Sequence, residues 1–172
     1  HPASRADLAG LLSRARQARV DFVNDILIPT SLQKGDALPV STFSGREDGH
    51  MPQGSAAYEK RGVAVAVPSW NPDNCIQCNF CSYVCPHAVL RPVAMTADEL
   101  AKAPEGTKSI DMMGVAGVKM VMTASVLDCT GCGSCVSVCP GKQGNKALTM
   151  EPLESQEKEQ DVFNYGLTLN EN

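Results

Sequence analysis

The sequence predicts an α+β fold built from two related halves, and three observations support this. The eight cysteines fall into two blocks of identical spacing, C-x2-C-x2-C-x3-C-P. An alternating or β-branched stretch precedes each block, with Val63, Val65 and Val67 before the first and Val118, Met120 and Met122 before the second. Short strands are also expected after the blocks, over residues 89–95 and 146–150. The repetition predicts two β-α-β-like halves related by a pseudo-two-fold axis.

The N-terminal segment, residues 1–58, is predicted to be a helix followed by an extended wrapping loop. Ser4 and Asp7 form a helix-start signal, and apolar residues recur at helical spacing across 4–27, with Pro29 expected to end the helix. Residues 30–58 are rich in Pro and Gly without any period, and so long a loop is uncommon inside a compact domain. We therefore expect it to wrap a surface contributed by another part of a larger assembly.

Residues 59–152 are predicted to form the domain that contains both cysteine blocks. The hairpin between the blocks is enlarged by residues 96–117, in which Thr96 is expected to cap a short helix together with Glu99. Residues 153–172 carry a cluster of acidic side chains, which is typical of a polar linker.

Composition limits the classes of function. A chain of 172 residues is long enough for one domain, or for one small domain with a long extension. Its net charge of −4 does not favour nonspecific binding to nucleic acid. It contains no apolar run long enough to span a membrane and does not open with a secretory leader. These features predict a cytoplasmic protein without membrane contacts.

The cysteine spacing predicts two [4Fe-4S] clusters. A tight C-x2-C-x2-C loop supplies three thiolates to one iron–sulfur cube, and in two-cluster proteins the fourth cysteine of each block binds the other cube. Cluster 1 is thus assigned to Cys75, Cys78, Cys81 and Cys139, and cluster 2 to Cys129, Cys132, Cys135 and Cys85. No catalytic residue is assigned, because the sequence has no phosphate loop, nucleophile elbow or zinc-protease motif.

Three other interpretations use the same residue type. A disulfide framework also has an even number of cysteines, but it belongs to secreted chains. Structural zinc uses C-x2-C pairs, although normally from two separated segments rather than four sulfurs in eleven residues. A three-iron cluster usually lacks the second ligand of a block, whereas Cys78 and Cys132 are both present. The spacing favours two four-iron cubes.

The residues between the ligands are expected to tune the clusters. Apolar side chains in the blocks are expected to shield the cubes from water: Ile76, Phe80, Tyr83, Val84, Val136 and Val138. Gly131 and Gly133 should let the backbone come close, so that amide N–H groups can bond to sulfur. Because proline is common in the first turn of a helix, Cys85 and Cys139 are each expected at a short helix start.

Several stretches of the sequence carry a resemblance to a known family: 58–64, 70–72, 75–79, Cys85-Pro86-His87-Ala88, 127–133, 138–140 and 153–154. They resemble the two-[4Fe-4S] ferredoxin-like domain of pyruvate:ferredoxin oxidoreductase, within the 2-oxoacid:ferredoxin oxidoreductase family. The Glu59-Lys60-Arg61-Gly62 segment and the enlarged hairpin narrow the assignment beyond ferredoxins in general. That family oxidises pyruvate with coenzyme A on thiamine diphosphate, and an inner cluster passes electrons to this domain.

The resemblance implies a domain or subunit that relays low-potential electrons from the thiamine diphosphate and inner-cluster part to external ferredoxin or flavodoxin. Such an oxidoreductase module belongs to anaerobic pyruvate metabolism. The alternative is a freestanding, diffusible two-cluster ferredoxin that serves several reductases. A zinc-bound interaction module is the non-redox alternative. Whether the chain belongs to an enzyme therefore depends on its partners.

Overall fold

The computed structural model describes residues 17–169. The chain divides into two compact units, residues 1–60 and residues 61–172, and each is described by itself. Among residues 17–169, no helix combines the length and the apolar character needed to cross a bilayer.

The first unit is helical at its start and then consists of turns. Residues 17–22 are helical, a wider π-helical turn spans Val23–Leu27, and helix α1 spans Ile28–Ser31. Three 3-10 turns follow, at Gly35–Ala37, Val40–Phe43 and Ser55–Tyr58. A small core of Phe22, Val23 and Ile26 holds the helical part together.

The expectation that Pro29 ends the N-terminal helix is wrong, because Pro29 lies inside the first turn of α1. The preceding π-helical turn supplies the reason, since the Ile28 N–H bonds to the Val23 carbonyl, one residue further back than in an α-helix. A proline with no N–H is tolerated at the first positions of the new helical segment. The part of the predicted helix before residue 17 lies outside the described residues.

The second unit contains two small antiparallel sheets. Strand β1 (Ala66–Trp70) pairs with β5 (Leu148–Pro152), so that Trp70 lies opposite Leu148. The other sheet has the order β2 (Leu90–Thr96), β4 (Val118–Ala124) and β3 (Ile110–Asp111), with Leu90 opposite Ala124. The first strand begins later than the alternation of valines predicts, and Val63 and Val65 are exposed before it.

Each cysteine block forms a loop followed by one short helix. Helix α2 spans Phe80–Val84 and helix α4 spans Ser134–Val138. The expectation that the fourth cysteines start helices is wrong, because Cys85 and Cys139 cap the C-terminal ends of α2 and α4 in extended conformation. The following proline explains this, since it disfavours the helical conformation in the residue before it and so ends the helix there.

The connection between the two blocks carries helix α3 (Ala97–Ala101) and strand β3. The predicted helix start is confirmed: the Thr96 side chain accepts a bond from the Glu99 N–H, and the Glu99 carboxylate accepts one from the Thr96 N–H. Lys119 forms an ion pair with Asp111 at 2.7 Å, which links β4 to β3.

Residues 153–169 are not a polar linker. They form helices α5 (Leu153–Gln156) and α6 (Glu159–Gly166), and Val162 and Phe163 are buried. Val162 packs with Met95 and Val121, and the Arg91 guanidinium lies over the Phe163 ring at 5.3 Å. Helix α6 is amphipathic, with Asp161 exposed beside the buried Val162 and Phe163, so the acidic residues of this segment concealed its apolar face.

Strand β4 is buried on both faces, and this places the core. Met120, Met122 and Ala124 belong to the large core cluster that also contains Cys129 and Cys135. Val121, which points the other way, belongs to the smaller cluster beneath α6. Strand β4 therefore lies between the cysteine loops and the C-terminal helix α6.

Candidate metal centre

The two cysteine loops share one unusual backbone conformation. The second and fourth residues after the first cysteine have positive φ in both blocks: +57° at Gln77, +58° at Asn79, +71° at Gly131 and +73° at Gly133. Left-handed residues turn the chain sharply, so that successive amides and thiols point toward the inside of the loop. The equal spacing of the cysteines is therefore matched by equal loop geometry.

Amide groups bond to cysteine sulfur in both blocks. The Gln77 N–H donates to Cys75 Sγ and the Gly131 N–H donates to Cys129 Sγ, each at 3.4 Å. The Ala147 N–H donates to Cys139 Sγ at 3.3 Å. Such bonds stabilise negative charge on sulfur, as thiolate ligands of an iron–sulfur cluster require. The donor set thus fits clusters with thiolate ligands.

Gly131 and Gly133 are both expected to allow a close approach of the backbone, but only Gly131 lies close to another segment of the chain. A Cβ atom at Gly131 would lie 3.0 Å from the Ala66 carbonyl oxygen and 3.3 Å from the Ala64 Cβ. At Gly133 nothing lies within 4 Å of such an atom. The close approach of Ala64 and Ala66 is a reason for glycine at residue 131, whereas at residue 133 the left-handed conformation is the reason.

The structure brings cysteines of both blocks together, and the cysteines that line one cavity are called the first cysteine group. One cavity is lined by four cysteines from both blocks, Cys75, Cys78, Cys81 and Cys139. The thiols of Cys85, Cys129 and Cys132 lie near enough to Cys135 to affect its pKa electrostatically. All eight cysteines are free, and none forms a disulfide.

Burial controls the protonation of several thiols. Burial raises the pKa of Cys81 to about 11 and that of Cys135 to about 11, and it also raises the pKa of Cys129. Cys132 is exposed, and hydrogen bonding with the Ser134 hydroxyl and then its amide lowers the pKa of this thiol. Because metal ligands must be thiolates, cluster binding at the buried positions has to release protons.

Main-chain bonds of the same kind tie each half of the domain to the other. The Asn71 N–H donates to the Ala147 carbonyl and the Ser125 N–H donates to the Val89 carbonyl, both at 2.8 Å. Asn71 follows β1, which precedes the first block, and Ala147 precedes β5, which follows the second block. With the blocks exchanged, Ser125 follows β4 and Val89 precedes β2 in the same way. These ties hold the start of each block beside the end of the other.

Lys146 fixes the end of helix α4, which leads directly into Cys139. Its Nζ donates to the Val136 carbonyl at 2.5 Å and to the Ser137 carbonyl at 3.3 Å. The Lys146 carbonyl accepts a bond from the Asn74 amide at 3.3 Å, next to Cys75. A cation at a helix C-terminus is favourable, and the main-chain carbonyl of the same residue connects the two blocks.

The predicted shielding by residues within the blocks is only partly correct. Tyr83 is 94% exposed and Phe80 is 56% exposed, so neither covers the cysteine loops. The strands do so instead, because Trp70, Met122 and Leu148 line the cavity of the first cysteine group and are all buried. Their position depends on strand pairing, which the sequence of the blocks does not contain.

Two glutamines that sequence analysis missed hold the cysteine loops in place. The Gln77 side chain donates to the Asp111 carbonyl at 2.7 Å and accepts from the Met113 N–H at 2.9 Å, which fastens the inserted segment to the first loop. Gln160 of α6 is 6% exposed and accepts from the Leu127 N–H at 3.1 Å, close to Cys129. In the sequence, the position of Gln77 inside the first block was the only indication that either glutamine contacts the cysteine loops.

Ser125 completes this second contact. Its hydroxyl donates to the Asp128 carboxylate at 2.5 Å and accepts from the Gln160 amide at 3.2 Å. The turn that leads into Cys129 is thereby bonded to the C-terminal helix.

Across residues 17–169, no three His, Cys, Asp or Glu side chains converge closely enough to hold a single metal ion. The ligands of an iron–sulfur cube differ in that each thiolate binds its own iron atom. Four such sulfurs therefore surround a cage rather than a point.

Comparison with known families agrees with the site. Residues 71–143 match a family described as a 4Fe-4S dicluster domain, and residues 13–64 match a family, EKR, described as a domain of unknown function. The chain is 51% identical over 148 residues to a pyruvate-flavodoxin oxidoreductase of Enterobacter agglomerans, covering 86% of this chain and 12% of that protein. It is 49% identical over 156 residues to the pyruvate:ferredoxin oxidoreductase of Moorella thermoacetica, covering 90% of this chain and 13% of that protein.

The chain belongs to the pyruvate:ferredoxin oxidoreductase family. A more distant relative, the mitochondrial pyruvate dehydrogenase [NADP(+)] of Euglena gracilis, is 43% identical over 138 residues, which cover 78% of this chain and 8% of that protein. The chain spans about an eighth of the length of the first two relatives. Within this family it is an electron-transfer segment whose eight cysteines fit two [4Fe-4S] clusters.

Proposed function

We propose that this chain relays low-potential electrons from the thiamine diphosphate and inner-cluster part of a pyruvate:ferredoxin oxidoreductase to an external ferredoxin or flavodoxin. The observation that carries the proposal is the pair of cysteine groups, each drawn from both blocks, inside a segment of this family. Two one-electron centres held by interleaved loops lie close together, as electron transfer through a small domain requires.

The proposal includes the ligand assignment. Cys75, Cys78, Cys81 and Cys139 would hold cluster 1, which is supported by the cavity that these four residues line. Cys129, Cys132, Cys135 and Cys85 would hold cluster 2, which is supported by the proximity of Cys85, Cys129 and Cys132 to Cys135, where these thiols raise its pKa after burial does. When bound, the clusters supply one-electron redox chemistry, and each depends on a thiolate from the other half of the domain.

A pseudo-two-fold arrangement with an enlarged hairpin is part of this proposal. It is supported by the equal loop conformations, by the matching bonds Asn71 to Ala147 and Ser125 to Val89, and by the matching pairs Trp70 with Leu148 and Ala124 with Leu90. The stretch 97–117 breaks the repeat because only the β2 to β4 connection contains it.

The protein's own residues perform three tasks in this function. The left-handed loop residues and the amide donors orient thiolates and stabilise their charge. Trp70, Met122 and Leu148 keep water away from the first cysteine group. Lys146 and Gln160 fix the segments next to Cys139 and Cys129. None of these tasks requires a catalytic acid, base or nucleophile.

The N-terminal segment, residues 1–58, would serve as an arm that contacts other parts of a longer protein. Val40 is 89% exposed, and Leu32 and Met51 are also exposed, so this unit presents apolar side chains that a partner surface could cover. Residues 59–152 would remain the cluster-bearing domain. A cytoplasmic location stays a prediction.

The identity of the acceptor is the least constrained part of the proposal. The names of the relatives include flavodoxin, ferredoxin and NADP(+). A freestanding ferredoxin is not favoured, because the similar proteins are much longer than this chain.

The ligand assignment is tested by two matched substitutions in the iron-loaded chain. Cys139→Ser should deplete the cluster of Cys75, Cys78 and Cys81, whereas Cys85→Ser should deplete the cluster of the second block. Iron and acid-labile sulfide analysis should give about half the wild-type content in each case. Electron paramagnetic resonance should show the broad signal of two interacting reduced clusters only in the wild type. Loss of the same cluster in both variants would refute the shared-ligand assignment.

The electron relay is tested by anaerobic stopped-flow mixing. The dithionite-reduced chain, freed of excess reductant, is mixed with oxidised ferredoxin and separately with oxidised flavodoxin. Reoxidation of the chain should match reduction of the acceptor, and Cys139→Ser should slow it. The inward step is measured in a full-length oxidoreductase that contains this segment, by rapid-freeze resonance after pyruvate and coenzyme A are added. Absence of electron transfer in both steps would remove the proposal.

A further inference from the structure

Trp70 has a polar atom with no partner in the core. Its side chain is 7% exposed, and its indole Nε1 is buried without any hydrogen-bond acceptor. A buried N–H normally has a partner, because its desolvation is otherwise uncompensated. Trp70 also ends strand β1 opposite Leu148, so strand pairing fixes its position.

The surroundings of Trp70 indicate which group would accept this bond. Trp70 lines the same cavity as Cys75, Cys78, Cys81 and Cys139. Asn79 also lines the cavity and has a strong side-chain acceptor, but the Trp70 Nε1 forms no bond to it; Ile76, Met122, Ala147 and Leu148 carry no strong acceptor. Sulfur atoms of a cluster bound by these four cysteines would be acceptors for the Trp70 N–H, which otherwise has no partner.

The second half of the domain has no corresponding donor. Trp70 and Ala124 each stand five positions before the first cysteine of a block. Each also ends its strand opposite a leucine, Leu148 for Trp70 and Leu90 for Ala124. The two positions are therefore equivalent in sequence and in register, but only one side chain carries an N–H group. Any effect of this N–H should be confined to one cluster.

We propose that the Trp70 indole N–H donates a hydrogen bond to a sulfur atom of cluster 1 and raises the reduction potential of that cluster alone. The inference rests on the proposed function, since it requires the cluster held by Cys75, Cys78, Cys81 and Cys139. A donor aimed at sulfur stabilises the additional negative charge of the reduced state, so reduction becomes more favourable. Trp70 thereby makes the two halves of a symmetric framework electronically unequal.

The first experiment needs no substitution, because the chain contains a single tryptophan. The iron-loaded chain is produced with ¹⁵N-indole tryptophan, reduced, and studied by pulsed electron paramagnetic resonance in H₂O and in D₂O. We expect a ¹⁵N hyperfine coupling and an exchangeable proton coupling from the indole. A sample with eight irons per chain and the two-cluster signal, but without both couplings, would overturn the inference and leave the proposed function standing.

The second experiment compares Trp70→Phe with Met122→Leu in redox titrations. Trp70→Phe removes the N–H and keeps an aromatic ring, whereas Met122→Leu changes the same cavity without removing a donor. We expect one of the two potentials to fall in Trp70→Phe, by about 59 mV for each tenfold weaker reduction equilibrium of a one-electron couple. The other potential should stay unchanged, and Met122→Leu should keep both near wild type.

Equal shifts of both potentials in Trp70→Phe, or no shift of either, would contradict the inference. If Trp70→Phe does not assemble clusters, the ¹⁵N measurement on the wild-type chain decides alone. Absence of iron in the wild-type chain would instead overturn the proposed function together with this inference.

Discussion

Glycine at residue 131 has two possible reasons: its left-handed backbone, and the close approach of the Ala66 carbonyl. Comparing Gly131→Ala with the matched control Gly133→Ala separates their effects on stability. Both glycines have nearly the same positive φ, +71° and +73°, so both substitutions should cost about 1–2 kcal/mol for an L-residue in that region. Only the new Cβ at residue 131 meets the Ala66 carbonyl oxygen, at 3.0 Å. Overpacking of this kind adds about 1–3 kcal/mol.

The two variants should differ in the rate at which they lose their bound clusters. Because loss of a bound cluster is rarely reversible, the suitable quantity is the half-life of the cluster absorbance in a fixed concentration of guanidinium, measured without oxygen. An additional 1–3 kcal/mol, if it acts on the unfolding rate, corresponds to about 5- to 150-fold faster loss in Gly131→Ala than in Gly133→Ala.

A third variant sharpens this test. Asn79 occupies the left-handed position in the first block that Gly133 occupies in the second, so Gly133→Asn should retain a half-life near that of the wild type. If Gly133→Ala lost its clusters as fast as Gly131→Ala, close approach to Ala66 would not be the reason for glycine at residue 131.

Three further outcomes are expected. Gln160→Ala should remove the acceptor of the partly buried Leu127 N–H, destabilise the native chain by about 0.5–1.5 kcal/mol and speed amide exchange at Leu127, whereas Gln156→Ala, whose amide donates to the neighbouring Ser155, should not. Gln77→Ala should release the inserted segment, which hydrogen exchange would detect at Met113; unchanged protection there would contradict the role of Gln77. Chelation of iron should unfold residues 63–150, and an iron-free chain with the same cooperative melting and amide protection would refute the coupling of folding to metal.

The sequence predicted the features that depend on local spacing. Two iron–sulfur clusters and the Thr96 helix start followed from residue types a few positions apart, and the comparisons and the structure bear them out. Strand ends were less accurate, since Val63 and Val65 alternate like a strand but precede β1. Alternation indicates extended chain, whereas pairing decides where a strand begins.

The errors have physical causes. A proline after Cys85 or Cys139 favours a helix start, but its stronger effect is on the conformation of the residue before it, and that effect ends the helix. Helix α6 was concealed because the acidic residues of the whole segment outnumber the buried Val162 and Phe163; these are Glu154, Glu157, Glu159 and Asp161. The roles of Trp70, Gln77 and Gln160 depend on contacts between distant parts of the chain, which spacing within one motif cannot predict.

The two buried faces of β4 set a practical boundary for anyone who trims this domain to a minimal electron carrier. A shortened protein that stops at residue 152 would keep every cysteine and both sheets, yet it would expose Val121 and Met95 to solvent and remove the acceptor of the Leu127 N–H. Such a protein should aggregate or lose iron near Cys129. A protein that extends to residue 169 keeps helix α6, which covers the face of β4 that points away from the cysteine loops.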